Sequence, residues 1–448
     1  MIVGFGMFDR LVPAALADAA LAHLQQDGVG RGHIVAWLGH NSWDQIATLV
    51  ACERLGAVLM PLNWRLAAPE LAAQMAHAGA GHLMGTPELE ALAGEVLRRF
   101  RPIPTPAHGV QPGDLLLVYT SGTTGAPKGA MHTAQGLQAN ALAAVAAQGL
   151  TAAERVLSVL PLFHVGGLCI QTLPALSVGA RVSLQPRFEP GAWFDAVEQW
   201  RPTTTLLVPA VMKALIEHPR WAAADLTSLR FVNSGSQIVP RALIEAFHAR
   251  GVPVAQVSGS TETGPVAIVL EPAEALAHVG QVGRPALGVR CRLATDGEIL
   301  LQAPNLMRGY HRSGEPAFDA EGWFHTGDLA VVHPGGYLEV VGRSKELIIS
   351  GGENIHPAEI EQLVATRPEV AECAVVGLPD ERWGEVPVLA LVLKPGTSLD
   401  AAALQALFDE HLARFKHPRQ VRVLHELPRT ALGKVQRPAL ARRLGPDP

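Results

Sequence analysis

Over residues 13–260, short apolar runs alternate with helix-forming stretches, and this restricts the fold more than any other feature of the chain. The Ala/Leu-rich Pro13–His23 reads as a helix and His33–Trp37 as a strand. Trp43–Leu55 reads as a helix with Ile46, Leu49 and Val50 on one face, and Ala57–Met60 as a strand behind the stop at Gly56. Glu70–His77 and Gly81–Met84 repeat the helix–strand pair. Further on, Val156–Leu160, Ala180–Leu184, Thr204–Val208, Leu229–Asn233 and Val254–Val257 read as buried strands, with helices such as Ala192–Trp200 and Arg241–Ala249 between several of them. Such alternation implies parallel sheets covered by helices. A chain of 448 residues also exceeds what one hydrophobic core serves, so at least two domains are expected.

Around Val279–Ala330 the texture changes to short strands and Gly/Pro turns, which suggests a small β-rich subdomain closing the large one. After Arg343 comes a compact module. A helix starts at Pro357, where proline suits a first turn, with Ile360, Leu363 and Val364 inward. Strands follow at Ala374–Val376 and Val388–Leu393, then a helix at Ala401–Phe415 and a strand at Val421–Leu424. The expected fold is therefore α/β. A large N-terminal domain, residues 1–343, carries parallel-rich sheets covered by helices plus the β-rich subdomain, and a small α+β C-terminal domain occupies residues 344–448.

The segment Tyr119–Gly129 reads Tyr-Thr-Ser-Gly-Thr-Thr-Gly-Ala-Pro-Lys-Gly and follows the apolar run Leu115–Val118. Glycines let backbone N–H groups turn towards anionic oxygens, Ser121, Thr123 and Thr124 add hydroxyl donors, and Lys128 adds a positive charge, so the composition suits a polyphosphate. It is not a Walker A motif, because Pro127 separates Gly125-Ala126 from Lys128. Composition alone leaves an ordinary Ser/Thr/Gly turn open as the alternative.

Further motifs remove that ambiguity. Pro161-Leu162-Phe163-His164, Gly259-Ser260-Thr261-Glu262-Thr263-Gly264, Gly322–Asp328, Gly342–Glu346, Ser350–Asn354 and Pro428–Lys434 follow the loop in order, almost to the end of the chain. Together they resemble the adenylate-forming AMP-dependent synthetases and ligases, in particular the acyl-CoA synthetase branch. The resemblance implies an ATP-, Mg2+- and CoA-dependent ligase that forms an acyl-CoA through an acyl-adenylate. It places Thr120, Ser121, Gly122, Thr123, Thr124, Gly125 and Lys128 on the β- and γ-phosphates, and Glu262 with Thr261 on Mg2+. Gly235, Ser236 and Gln237, with Ser258, Gly259 and Ser260, fall where the family wraps backbone around adenine, Asp328 where it binds the ribose hydroxyls, and Arg343 where it contacts the nucleotide.

The same resemblance makes Lys434 the residue that bridges the substrate carboxylate and the α-phosphate, and His164 a residue beside the acyl pocket. Lys345 becomes the hinge about which the mobile small domain rotates, bringing Gly351 and Gly352 to the site in place of Lys434 so that the CoA thiol can enter. Three departures stand out. Ser258 occupies a position usually aromatic, which removes stacking worth about 1 kcal/mol; Ser236-Gln237 replace a smaller pair; and the start before the first helix is short.

The acid is read as fatty or aromatic. The segments expected to wall its pocket, His164–Thr172, Phe231–Gly235 and Val257–Thr263, are mostly small or apolar and carry no Lys or Arg for a second carboxylate. His164 after Phe163, where amino-acid-activating relatives carry aspartate, favours a simple carboxylic acid. The rivals are an acyl-AMP ligase that loads a carrier protein and a nucleotide-binding pseudoenzyme. Thirty-six basic against 41 acidic residues with no basic run give nothing to attract nucleic acid. No run of about 18 apolar residues suggests a membrane span. Four widely spaced cysteines and no signal-peptide pattern point to the cytoplasm, and a monomer or homodimer is expected.

Overall fold

The computed structural model describes residues 7–103, 105–121, 127–235, 239, 241–314, 316–343, 348–355, 357–428 and 435–445. The chain packs as two compact units. One comprises Met1–Trp64, Gln74–Tyr119 and Gly129–Ser344; the other comprises Lys345–Pro448 with Arg65–Ala73 and Thr120–Lys128.

The first unit is built on three sheets. One has six strands in the order Gly309–Tyr310, Pro127–Thr133, Asp114–Ser121, Val58–Leu62, Ile34–Leu38 and His82–Gly85. Ile34–Leu38 pairs in parallel with Val58–Leu62 and with His82–Gly85, and every residue of Ile34–Leu38 and Val58–Leu62 is buried. Continuous apolar strands of this kind require cover on both faces. A second sheet has seven strands in the order Arg284–Pro285, Ile268–Leu270, Val254–Ser258, Phe231–Gly235, Thr204–Leu207, Arg155–Ser158 and Arg181–Leu184. Its last five are parallel, and Ile268–Leu270 and Arg284–Pro285 close one side antiparallel. The third sheet is antiparallel and four-stranded, formed by Arg290–Leu293, Glu298–Gln302, Phe324–Val332 and Leu338–Arg343.

In the second unit, Ile348–Ser350, Glu353–Ile355, Gly384–Leu393, Val370–Asp380 and Gln420–Val423 form a mixed sheet. Pro357–Val364 and Ala401–His411 pack Ile360, Val364, Leu404 and Phe408 on its core. Among the described residues no helix is long and apolar enough to cross a membrane.

Local chemistry sets the boundaries. The helix Trp43–Leu55 starts where the Ser42 hydroxyl accepts from Gln45 N at 3.2 Å and stops at left-handed Gly56. The expected strand Leu229–Asn233 instead runs Phe231–Gly235. Its polar end is buried, with Asn233 Nδ2 donating to Gln148 Oε1 at 2.7 Å and the Ser234 hydroxyl to Met212 Sδ at 3.4 Å, while Asn233 Oδ1 is left without a partner among the described residues. Alternation also splits this strand: Phe231 packs with Leu150 and Val156, whereas Val232 packs with Leu160, Ile170 and Leu207. Only alternate residues of Phe231–Gly235 can therefore face one pocket.

Candidate active site

The expected phosphate loop is shorter than its composition suggested. Thr120 and Ser121 end the strand Asp114–Ser121, and Lys128 already lies within the strand Pro127–Thr133. The Thr120 hydroxyl donates to the Lys128 carbonyl at 3.4 Å. Gly122, Thr123, Thr124 and Gly125 lie outside the described residues, as do Ser236, Gln237, Lys345 and Lys434.

Two glycines bring backbone segments together on the side expected for the nucleotide. Gly235 pairs with Val257, and a Cβ on it would sit 2.1 Å from the Val257 carbonyl oxygen. A Cβ on Gly259 would sit 1.9 Å from the Pro265 carbonyl oxygen. Between them Ser258 ends its strand opposite Ile268, and Thr261–Thr263 form a single 3-10 turn. Ser260 N donates to Thr263 Oγ1 at 2.8 Å, which tightens that turn.

Glu262, on this turn, is half-buried. The segment Asn305–His311, which the sequence reading placed among the short strands and turns of Val279–Ala330 without a role in the site, clamps it. Met307 N donates to the Glu262 carbonyl at 2.8 Å, and the Tyr310 hydroxyl donates to Glu262 Oε1 at 3.0 Å. Asn305 Nδ2 donates to the Thr263 and Val266 carbonyls at 2.9 and 3.0 Å. Among the described residues no three His, Cys, Asp or Glu side chains gather as a self-sufficient metal site. One carboxylate with a neighbouring Thr261 hydroxyl fits a hard cation such as Mg2+, which characteristically takes one or two carboxylates and completes its shell with substrate phosphates and water.

Asp328 and Arg343 occupy directly opposed positions on neighbouring antiparallel strands. Asp328 N donates to Thr326 Oγ1 at 3.1 Å, and the preceding Gly327 takes a left-handed φ of 74° with its N–H on Glu298 Oε1 at 2.8 Å. This turn fixes the backbone that carries the Asp328 carboxylate. In the second unit, Gly351 N donates to the Trp383 carbonyl at 2.8 Å. Gly351 and Gly352 have φ of 59° and 83°, and a Cβ on Gly351 would lie 2.6 Å from the Trp383 ring. Glycine is required there by both conformation and space.

His164 is half-buried, and its ring lies 4.5 Å from that of Phe163. Phe163 meets Trp64 edge-on at 6.3 Å, and Trp64 meets His40 at 4.8 Å. These aromatic partners, Trp64 and His40, lie far upstream in the sequence, and no local pattern announced them. Two polar side chains hold the wall. Asn41 Nδ2 donates to the Leu160 and Gln185 carbonyls at 2.9 and 3.0 Å, Asn41 Oδ1 accepts from Leu162 N at 2.8 Å, and Gln45 Nε2 donates to the Leu162 carbonyl at 3.1 Å.

Beyond His164 the chain winds as a π-helical turn, Gly166–Thr172, a geometry often found at functional sites. Asn140 caps its Cys169 carbonyl at 2.7 Å and Gln148 its Ile170 carbonyl at 2.8 Å. Asn140 Oδ1 also accepts from Val266 N at 3.0 Å, which couples this wall to the turn that carries Glu262.

Asn41→Ala should therefore destabilise the first unit by about 3 kcal/mol, since it leaves the buried Leu160 carbonyl and Leu162 N–H without their partner. Urea denaturation checks this, and the KM for the acid should rise with it.

The chain is similar to known proteins over most of its length. The AMP-binding enzyme model matches residues 14–311, and the AMP-binding enzyme C-terminal domain model matches 359–434. The chain is 45% identical to the indoleacetate–CoA ligase of Aromatoleum aromaticum, over 95% of this chain and 91% of that protein. It is 41% identical to a feruloyl-CoA synthase of Amycolatopsis, over 94% and 91%. Among solved structures, the o-succinylbenzoate CoA synthetase of Bacillus subtilis bound to a product analogue superposes with a TM-score of 0.84 at 30% identity, covering 95% of this chain and 92% of that one. The amide bond synthetase McbA of Marinactinospora thermotolerans superposes with a TM-score of 0.89 at 28% identity, covering 99% and 100%. With a large sheet-bearing unit that carries the Glu262 turn, the opposed Asp328 and Arg343 positions and a matching C-terminal module, the chain belongs to the AMP-binding enzyme family.

Proposed function

We propose that this protein is an ATP- and Mg2+-dependent acid–thiol ligase that converts an aromatic or arylalkyl carboxylic acid to its acyl-CoA through an acyl-adenylate, releasing AMP and pyrophosphate. The observation that carries the reading is the clamped Glu262 turn, which Asn140 couples to the wall around His164. A carboxylate is a poor electrophile because its charge repels nucleophiles and oxide does not leave; transfer of AMP to it removes both obstacles. The task of the protein is to position two anions and neutralise them.

Thr120, Ser121 and Lys128, with residues 122–125 between them, hold the β- and γ-phosphates. Glu262 with Thr261 holds Mg2+, which offsets phosphate charge when bound. The backbone of Gly235, Ser258 and Gly259 flanks adenine, while Asp328 and Arg343 hold the ribose side. Lys434 bridges the attacking carboxylate oxygen and the α-phosphate. In the second half-reaction the C-terminal domain, residues 344–448, turns about Lys345, and Gly351-Gly352 border the path of the thiol.

The choice of acid rests on the wall. Trp64, Phe163 and His164 are in ring-to-ring contact, and the π-helical turn that follows buries Leu168, Cys169 and Ile170. Such a surface suits a flat ring better than an alkyl chain. The relatives named for indoleacetate and ferulate point the same way. The enzyme works in the cytoplasm on diffusible small molecules, as a monomer or homodimer.

Quantifying AMP and acyl-CoA by chromatography over a panel of arylacetic, hydroxycinnamic, fatty and dicarboxylic acids tests this. We expect kcat/KM for the best aryl acid to exceed that for fatty acids of equal carbon number by about 10- to 200-fold, the range a shaped apolar pocket supplies. A preference for fatty acids would overturn the aryl assignment, and turnover with a phosphopantetheinyl carrier protein but not free CoA would overturn the acceptor.

A further inference from the structure

We infer that Tyr310 is a positioning residue for the Glu262 carboxylate, a role that rests on the reading of Glu262 as the Mg2+ ligand. Four observations converge on it. The Tyr310 hydroxyl donates to Glu262 Oε1 at 3.0 Å, which fixes one carboxylate oxygen and leaves the other to face a cation. The backbone of Glu262 is fixed independently by Met307 N, from the same segment.

Tyr310 is itself held in register: it pairs with Ala130, Arg308 N donates to the Met131 carbonyl, and His311 N donates to the Gly129 carbonyl, both at 2.7 Å. Arg308 then anchors the segment through two hydrogen bonds to buried Asp114, at 2.8 and 2.9 Å, at the start of the strand that leads into the phosphate loop. The segment therefore braces the Glu262 turn against the strand that also carries Lys128.

A carboxylate held in one rotamer binds a cation without first losing that freedom, and a hydrogen bond to a charged acceptor is among the stronger ones. Removing the hydroxyl should thus weaken metal-dependent nucleotide binding while leaving the fold intact.

The test is calorimetric titration of ATP into protein without any acid, at varied Mg2+ and with EDTA, for wild type, Tyr310→Phe, Glu262→Gln and Tyr337→Phe. Tyr337→Phe is the control, because it deletes a like bond to Glu274 of 2.7 Å elsewhere. We expect Tyr310→Phe to raise the Mg2+ concentration needed for half-maximal ATP binding roughly tenfold, the scale of one hydrogen bond to a charged group. ATP affinity in EDTA should not change, and the thermal midpoint should shift no more than in Tyr337→Phe. An unchanged Mg2+ requirement in Tyr310→Phe, with a raised one in Glu262→Gln, overturns the inference alone. An unchanged requirement in Glu262→Gln overturns the ligand reading and the inference with it. Equal weakening with and without Mg2+ makes Tyr310 a structural residue and also overturns the inference.

Discussion

Lys434→Ala is expected to lower acyl-adenylate formation by about 10²–10³-fold or more, the scale of losing one group aimed at developing charge. Thioester formation from supplied acyl-adenylate should stay largely intact. The split follows from where charge builds up. When a carboxylate oxygen approaches the α-phosphorus, two anions converge and a lysine between them offsets the repulsion. When a thiol later attacks the neutral carbonyl of the acyl-adenylate, that need is gone. Lys434 lies in Arg429-Thr430-Ala431-Leu432-Gly433-Lys434, a glycine-bearing polar segment just ahead of the helix Arg437–Leu444. Single-turnover assays of each half-reaction measure the split. Equal loss in both would show that the lysine supports the fold or nucleotide binding in general.

Gly259→Ala should be a strongly damaging small substitution in the large unit, because it falls on the turn that carries Glu262. The added Cβ would meet the Pro265 carbonyl oxygen at 1.9 Å and Thr263 Oγ1 at 2.7 Å. The backbone here has little room to give, because Val266 N is held by Asn140 and the Val266 carbonyl by Asn305. The strain is relieved by moving the Ser258–Thr263 segment, which carries Thr261 and Glu262. Overpacking of this kind costs about 1–3 kcal/mol of stability, and a displacement near 1 Å at a reacting centre costs roughly a hundredfold in rate. Gly191→Ala is the matched control: nothing lies within 4 Å of its added Cβ, and it sits in the helix Pro190–Gln199. The control should be neutral or slightly stabilising in urea denaturation and wild-type in turnover. A Gly259→Ala protein as active as wild type would mean that the turn does not need its present position.

How much of this was legible in the sequence depended on the range of the interactions involved. Trp43–Leu55 was readable to the residue because both of its ends are set by neighbours, Ser42 and Gly56. The helix Ala134–Gln148 was not identified, although Thr133 caps it and Gly149 ends it, because alanine and glutamine surround it without an apolar stripe. Its polar residues Asn140 and Gln148 are buried and satisfied by the π-helical turn, a partner no local window contains.

The site divides in the same way. Glu262, Asp328 and Gly259 stand in motifs and were named in advance. Tyr310, Asn305, Asn41 and Trp64 hold or complete the same site from distant points of the chain, and each looks like an ordinary residue until the sheets bring it into place. Gly309-Tyr310 was legible only as one of the short strand-and-turn elements of Val279–Ala330, with nothing local to tie it to Glu262.

The central claim is that the protein activates a carboxylic acid as its adenylate before any thiol takes part. Exchange of labelled pyrophosphate into ATP measures that step alone. With an aryl carboxylic acid, ATP and Mg2+, and with CoA withheld, label should enter ATP at a rate that depends on the acid and vanishes when Mg2+ is chelated. No exchange across a broad panel of aryl, fatty and dicarboxylic acids, by protein that still binds ATP, would contradict the claim and leave a nucleotide-binding protein without ligase chemistry.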